Sequence, residues 1–347
     1  MDSPPPPRPG AVPSGKLPGP RIPLGRFPTA LDTVDVAGRT ILVKRDDLCA
    51  DGYAGNKVRK LEFLLADAQQ RGARTLITAG ATGSHHAFAT AYYGSRLGFD
   101  VSLVLFPQRV TQHVREMLLH MHATGAELRW IRRVAGVPFG MWRARLAHRA
   151  AAPYLVPPGG SSDIGSLGYV NAGLELAAQL EDAAVRPARI HVAAGTLGTV
   201  AGVAIGMAWA GARIPIIATR IASRLFTNER TLGNLVRATL RLLAARGATG
   251  LPDAASALRL VALNHRGIGT GYGHATAAGE AAHDAFAAAG LMLDSTYTAK
   301  AAAALLADRT PGSPLFWHTL SAVLPRLPVQ DADTAALPAP FHSYLGR

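Results

Sequence analysis

Cysteine is almost absent. Cys49 is the single one in 347 residues, which excludes an internal disulfide, and no metal or redox spacing surrounds it. A reducing cytoplasm is the compartment this fits. Dense basic runs are missing as well. The formal charge of +13 arises from 36 Lys and Arg against 23 Asp and Glu. Its arginines are scattered, among them Arg71, Arg74, Arg143 and Arg237, at positions that read as solvated helix faces. Neither nucleic acid nor a membrane surface is therefore expected as a partner. Nor is there an unbroken apolar run of bilayer-spanning length. The stretch from Val192 to Ala212 is uncharged, but Gly-Thr-Leu-Gly-Thr interrupts it, as suits a buried strand, a glycine turn and a buried helix. The first residues, MDSPPPPRPGAVPSGKLPGP, lack the apolar centre of a signal peptide, and residues 1–20 read as a flexible Pro-rich tail of polyproline character.

What is present is an alternation of short β-rich runs with longer helical patterns. Thr40 to Lys44 and Thr75 to Thr78 read as strands, and Lys57 to Gln70 reads as a helix with Leu61, Leu64, Leu65 and Ala68 on one apolar face. Helices follow near 86–97, 110–123, 139–151 and 167–180. Strands follow at 101–106, 127–131, 190–193 and 214–218, and Leu315 to Thr319 closes the series. Strands interleaved with helices imply an α/β fold of mostly parallel sheets covered on both faces.

In such folds ligands collect at the carboxyl ends of strands. Two strand-to-helix turns there are rich in small residues: Thr78-Ala-Gly-Ala-Thr-Gly-Ser-His-His86 and Ala194-Gly-Thr-Leu-Gly-Thr-Val-Ala-Gly202. Backbone N–H groups turned outward at a helix start suit a carboxylate or a phosphate, although either turn could also serve packing alone. The second has neither the lysine of a Walker loop nor a dinucleotide glycine spacing. A third feature is odd. The helix that begins after Gly55 places Lys57, Arg59 and Lys60 in its first turn, where acidic residues are favoured. A lysine held there beside other cations and partly desolvated has its ammonium form disfavoured, and a neutral amine attacks carbonyls. His113, His120 and His122 share one predicted helix, but no pair has the i, i+4 spacing of a metal site, and no metal is expected.

Several segments, taken together and in order, resemble a known family. They are AGNKVRKLEFLLADAQQRGARTLITAGATGSHHAFATA, PPGGSSDIGSLGYVNAGLELAAQL, the 194–202 turn, GTGYGHATAAGEAAHDAF and LDSTYTAKAAAALL. The resemblance runs from about Arg45 to Thr319. It is to the pyridoxal-phosphate enzymes that include D-cysteine desulfhydrase and 1-aminocyclopropane-1-carboxylate (ACC) deaminase, within the tryptophan-synthase-β-like fold type II group. It implies a two-domain enzyme of mostly parallel, twisted sheets flanked by helices. Residues 21–53 and 171–347 would form a large cofactor-binding domain, and residues 54–170 a small domain carrying the reactive lysine and the substrate-carboxylate loop.

The resemblance further implies pyridoxal 5'-phosphate as cofactor, with Lys57 as the Schiff-base lysine that also moves the α-proton. Ser84, His85 and His86 match the loop that receives the substrate carboxylate and borders the cofactor ring. Gly195, Thr196, Leu197, Gly198 and Thr199 match the phosphate cradle. Tyr272 and Tyr297 match two active-site phenols. Thr298 and Thr319 match neutral hydroxyls near the ring nitrogen, as in the desulfhydrase branch, where the deaminase branch has Glu after the second tyrosine. Three positions depart from the family pattern: His85 stands for Asn, Leu197 for Gly, and Leu320-Ser321 for Gly-Gly.

The implied activity is α,β-elimination of D-cysteine, or a related β-substituted amino acid, to pyruvate, ammonia and the leaving group. ACC deamination is the alternative, and a homologue that binds cofactor or amino acid without turnover is the second. A homodimer acting on a small amino acid is expected.

Overall fold

The computed structural model describes residues 17–325 and 337–345, so all but residues 17–20 of the expected tail lie outside the described residues. Two sheets organise the chain. It opens with a hairpin, β1 (Leu31–Val36) and β2 (Arg39–Arg45), and passes through α1 (Asn56–Gln70) into a four-stranded parallel sheet. That sheet has the order β5 (Glu127–Trp130), β4 (Asp100–Phe106), β3 (Thr75–Ala81), β6 (Pro153–Leu155). Its crossovers are α2 (His85–Arg96), α3 (Gln112–Ala123) and α4 (Val137–Ala147).

Helix α5 (Asp163–Asp182) then leads to β7 (Ile190–Ala194), α6 (Gly198–Trp209), β8 (Ile216–Arg220), α7 (Glu229–Ala245), α8 (Ala254–Arg259) and β9 (Val261–Asn264). After α9 (Ala277–Ala288) and α10 (Thr298–Ala307), β10 (Leu315–His318) inserts between β2 and β7, completing a six-stranded sheet of order β1-β2-β10-β7-β8-β9. Every pairing in it is parallel except β1 with β2.

These elements follow from local chemistry. All seven residues of β3, TLITAGA, are buried, as expected of a central parallel strand covered on both faces. Ser84, Thr111 and Ser162 cap α2, α3 and α5 by accepting from backbone N–H groups three residues on. The Ser162 cap explains why α5 begins at Asp163, four residues before the expected Leu167. Pro215 explains the opposite shift at β8, which starts at Ile216 rather than Ile214, because a proline has no N–H to give the ladder. No helix among the described residues is long and apolar enough to cross a membrane.

A buried ion network ties α1 and α5 to the six-stranded sheet. The Arg59 guanidinium on α1 donates to Asp46 (2.8 Å to Oδ1) and to both oxygens of Glu175 on α5 (2.9 Å each). Lys44 Nζ on β2 reaches Glu175 at 2.5 Å and Gln179 at 2.6 Å. Tyr169 and Trp317 donate to Asp46 Oδ2 at 2.7 and 2.9 Å, and the Phe27 ring lies 4.0 Å from the guanidinium carbon. Two cations and two carboxylates balance. Burial opposes the charge on Asp46 and on Glu175, yet the Arg59 charge and its hydrogen bonds hold both carboxyls below their usual range. The close approach requires Gly168: a Cβ there would sit 2.0 Å from the Arg59 carbonyl oxygen.

Removing one member of a buried network leaves the others unpaired in low dielectric. Arg59→Ala is therefore expected to lower the unfolding free energy by about 3–5 kcal/mol, read from denaturant midpoints. A loss below about 1 kcal/mol would contradict this account.

Candidate active site

The carboxyl ends of both sheets face one cavity of about 830 Å³. It is lined by Lys57, Lys60, Ser84, His85 and His86 from one side and by Gly195, Thr196, Leu197, Thr199, Tyr272, Tyr297 and Thr319 from the other. Residues named from six separate stretches of sequence thus share one space. Gly198 and Thr298 are not among its lining residues.

Gly55 sets where α1 starts. Its φ of +87° is open to glycine, and a Cβ would meet the Thr319 oxygen and the Ser321 nitrogen at 2.9 Å. Two residues on, Lys57 points into the cavity and makes no hydrogen bond to any described residue. Burial drives its pKa down to about 8, against a partial restoring pull from Asp294, so a fraction on the order of a tenth to a fifth is neutral amine near physiological pH. Arg59 leaves the same turn toward the ion network. Lys60 leaves it toward the start of α6: its Nζ donates to the Gly159 carbonyl at 3.0 Å and to Ser161 Oγ at 3.2 Å. Both partners are uncharged. Burial, with the Lys57 charge adding to it, pushes Lys60 well below the ordinary lysine range.

Around Lys60 the cradle is already wired. Ser161 Oγ accepts from Lys60 and from the Gly198 N–H (3.0 Å), so its own proton goes to Thr196 Oγ1 at 2.6 Å. Asn56 donates to Thr199 Oγ1 at 3.3 Å. Gly198 contributes through this N–H bond, and a Cβ there would sit 2.5 Å from Ser161 Oγ and 3.0 Å from Lys60 Nζ. Leu197 takes the left-handed backbone (φ +68°) that the family gives to glycine, and its side chain is buried in the core beside α6. The side chain thus turns to the core, at a local backbone cost of about 1–2 kcal/mol.

Facing this, Ser84 begins α2. Its hydroxyl oxygen accepts from Ala87 N at 3.2 Å and its own proton is free for the cavity. His86 turns Nε2 to Thr78 Oγ1 at 2.9 Å. His85 Nδ1 lies 2.5 Å from Tyr53 Oη. Burial and the neighbouring His113 lower the His85 pKa to about 4, while burial raises the Tyr53 phenol well above its usual range. Tyr53 is therefore the donor, and the ring proton of His85 sits on Nε2. Tyr53 is fixed in turn by Tyr93, which donates to its carbonyl, and by edge contact with Phe88 at 4.8 Å.

Tyr272 and Tyr297 meet hydroxyl to hydroxyl at 2.5 Å with their rings perpendicular. Burial raises both phenols. The bond between them pulls Tyr272 back down and pushes Tyr297 up, making Tyr272 the readier acid. Asp294 orders the segment, accepting from the N–H groups of Thr296 (2.9 Å), Tyr297 (2.6 Å) and Thr298 (3.1 Å). Thr298 is not among the lining residues: its hydroxyl donates to Asp294 at 2.7 Å, whereas Thr319 faces the cavity.

Tyr53, Lys60, Ser161 and Asp294 escaped the site reading. Lys60 and Ser161 stand in stretches already singled out, and Asp294 lies three residues before Tyr297.

A family model described as "Pyridoxal-phosphate dependent enzyme" matches residues 21–314. The chain is 34% identical over 310 residues to nocardicin C-9' epimerase of Nocardia uniformis subsp. tsuyamanensis, covering 86% of this chain and 92% of that one. It is also 34% identical over 298 residues to D-cysteine desulfhydrase of Salmonella paratyphi A, covering 83% and 88%. A solved structure described as an ACC deaminase homologue superposes with a TM-score of 0.73 at 30% identity, covering 87% of this chain and 91% of that one. The residues present fit a phosphorylated aldehyde. Lys60 is a buried amine with no counter-charge among the described residues, at the start of a helix and beside three hydroxyls, which a phosphate dianion would complement.

Two outcomes are expected. Lys60→Met should weaken pyridoxal phosphate binding about ten- to a hundredfold while leaving pyridoxal, which has no phosphate, unchanged in a titration followed by absorbance. The rate at which the protein captures the added aldehyde should rise about tenfold per pH unit below the Lys57 pKa of about 8 and level above it, because the neutral amine is the attacking form. A rate that is flat from pH 6 to 9 would remove Lys57 from that role.

Proposed function

The chain belongs to the pyridoxal-phosphate dependent enzymes, and from that premise we propose that it catalyses α,β-elimination of D-cysteine or a related β-substituted amino acid. The products are pyruvate, ammonia and the leaving group, hydrogen sulfide in the case of cysteine. One observation carries the reading: a lysine amine with no hydrogen bond among the described residues and a pair of linked phenols converge in one cavity, a base and an acid for the two bonds that break.

Lys57 would hold the cofactor's aldehyde carbon. Lys60, Ser161, Thr196, Thr199 and the first turn of α6 would hold its phosphate, with His85 Nε2–H and the Thr319 hydroxyl toward its ring. When bound, the cofactor supplies the electron sink for the pair left by the broken Cα–H bond. Ser84 and the first N–H groups of α2 receive the substrate carboxylate. The Lys57 amine takes the α-proton, as its lowered pKa favours. The Tyr272–Tyr297 pair holds a proton for the departing sulfur, and because both phenols are raised they arrive protonated at neutral pH.

A second reading, epimerisation at the α-carbon, is favoured by the relative named as an epimerase. It needs the same base and a phenol that returns the proton. We also assign the enzyme to the cytoplasm, where the buried, burial-raised Cys49 thiol stays reduced, and to a homodimer.

The test is an absorbance spectrum before and after adding D-cysteine, with pyruvate assayed in the same sample. A shifted band with pyruvate supports elimination; a shifted band with L-cysteine and no pyruvate selects epimerisation. Lys57→Ala is expected to abolish turnover and Tyr297→Phe to lower it about 10²–10⁴-fold. An active Lys57→Ala enzyme would sink the proposal.

A further inference from the structure

The cavity has to hold the cofactor and the amino acid together, and part of its lining is more apolar than cysteine requires. Its volume of about 830 Å³ lies high in the ~300–1,000 Å³ range of sites for drug-sized ligands. The charged side chains that line it are Lys57, Lys60 and Asp294, and each has work described above. Two strand-to-helix connections complete the lining, one from each sheet. The β5–α4 connection and the start of α4 supply Val134, Pro138 and Met141; the β8–α7 connection supplies Ile221, Leu225 and Phe226. Neither places a charged side chain on the cavity, although Arg132, Arg133 and Arg224 stand in them.

Three of these apolar residues are left in water. Val134 is 48% exposed, Phe226 48% and Leu225 76%, which places them at the cavity mouth rather than in the core. Large apolar side chains that line one cavity from two connections and are still exposed mark a surface that an apolar ligand covers.

The carboxylate of an amino-acid substrate is taken by Ser84 with the start of α2, its amine would go to the cofactor's aldehyde carbon in place of Lys57, and its sulfur meets the tyrosine pair. The group carried on sulfur then has the mouth left to it. We propose that the preferred substrates are S-substituted cysteines whose sulfur bears a large apolar alkyl or aryl group, gripped between Val134 and Pro138 on one side and Leu225 and Phe226 on the other. The inference rests on the elimination proposed above. The Cα–H and Cβ–S bonds break, the α-proton passes to Lys57, and sulfur leaves with a proton from the tyrosine pair. One S-substituted cysteine and one water yield one thiol, one pyruvate and one ammonium ion, with nothing oxidised or reduced.

The experiment compares S-benzyl-D-cysteine with D-cysteine in two readouts: kcat/KM from pyruvate release by the holoenzyme, and affinity by calorimetry on Lys57→Ala protein loaded with pyridoxal phosphate. The benzyl compound is expected to be favoured at least tenfold in both, the scale on which apolar pockets discriminate. The double substitution V134S/F226S, at exposed positions where folding is not at stake, is expected to erase most of that preference. Equal or weaker handling of the benzyl compound, with pyruvate still formed from D-cysteine, overturns the inference and leaves the elimination standing. Tighter binding of the benzyl compound with no pyruvate from either overturns the elimination and keeps the apolar side-chain site.

Discussion

The contact of the Arg59 guanidinium with Asp46 and Glu175 is the constraint on which the site's geometry depends. It ties α1 to the end of β2 and to α5 at one buried point. Successive helix residues turn by about 100°. Once Arg59 is fixed, Lys57 and Lys60 are sent in two other directions, one into the cavity and one to the start of α6. A basic first turn opposes the helix dipole, and here each of its three cations has a separate destination. Asp46 and Glu175 supply the negative charge that this turn lacks in its own sequence.

Burial is resolved in two ways within a short distance. Arg59 meets carboxylates and keeps its charge, and Lys44, which burial pulls down, is partly restored by Glu175. Lys57, Lys60, His85 and His86 meet none at hydrogen-bonding distance, and desolvation moves each toward its neutral form. The same physics makes a rigid joint where charges balance and a set of bases where they do not. His85 illustrates the second case: deprived of charge and locked by Tyr53, it becomes a donor of fixed direction.

The sequence made much of this legible. Buried strands such as Thr75–Ala81 and helices such as α1 follow from periodicity and caps, and the two small-residue turns lie at the ends of β3 and β7 as expected for ligand sites. What escaped depends on contacts between distant residues. Nothing local distinguishes Lys60 from Arg59, because their fates differ through Ser161 and Asp46, some 100 residues downstream and 13 residues upstream respectively. Thr298 fits a ligand contact by position, but Asp294, four residues earlier, takes its hydroxyl. The first strand of the hairpin, β1, was also unread, being half-exposed and without a long apolar run, although Thr40 to Lys44 of β2 was read. At Leu197, backbone preference favours glycine, and burial of the side chain in the core offsets it.

The Lys57 charge weighs on Lys60 within one enclosed space, and Lys60 has only uncharged partners at hydrogen-bonding distance. A dianion in the cradle would supply the counter-charge that Lys60 lacks, and the amine that burial holds toward its neutral form would recover its proton. The cradle therefore selects by charge as well as by shape: a neutral group of the same size would fill the space and leave the buried amine unanswered.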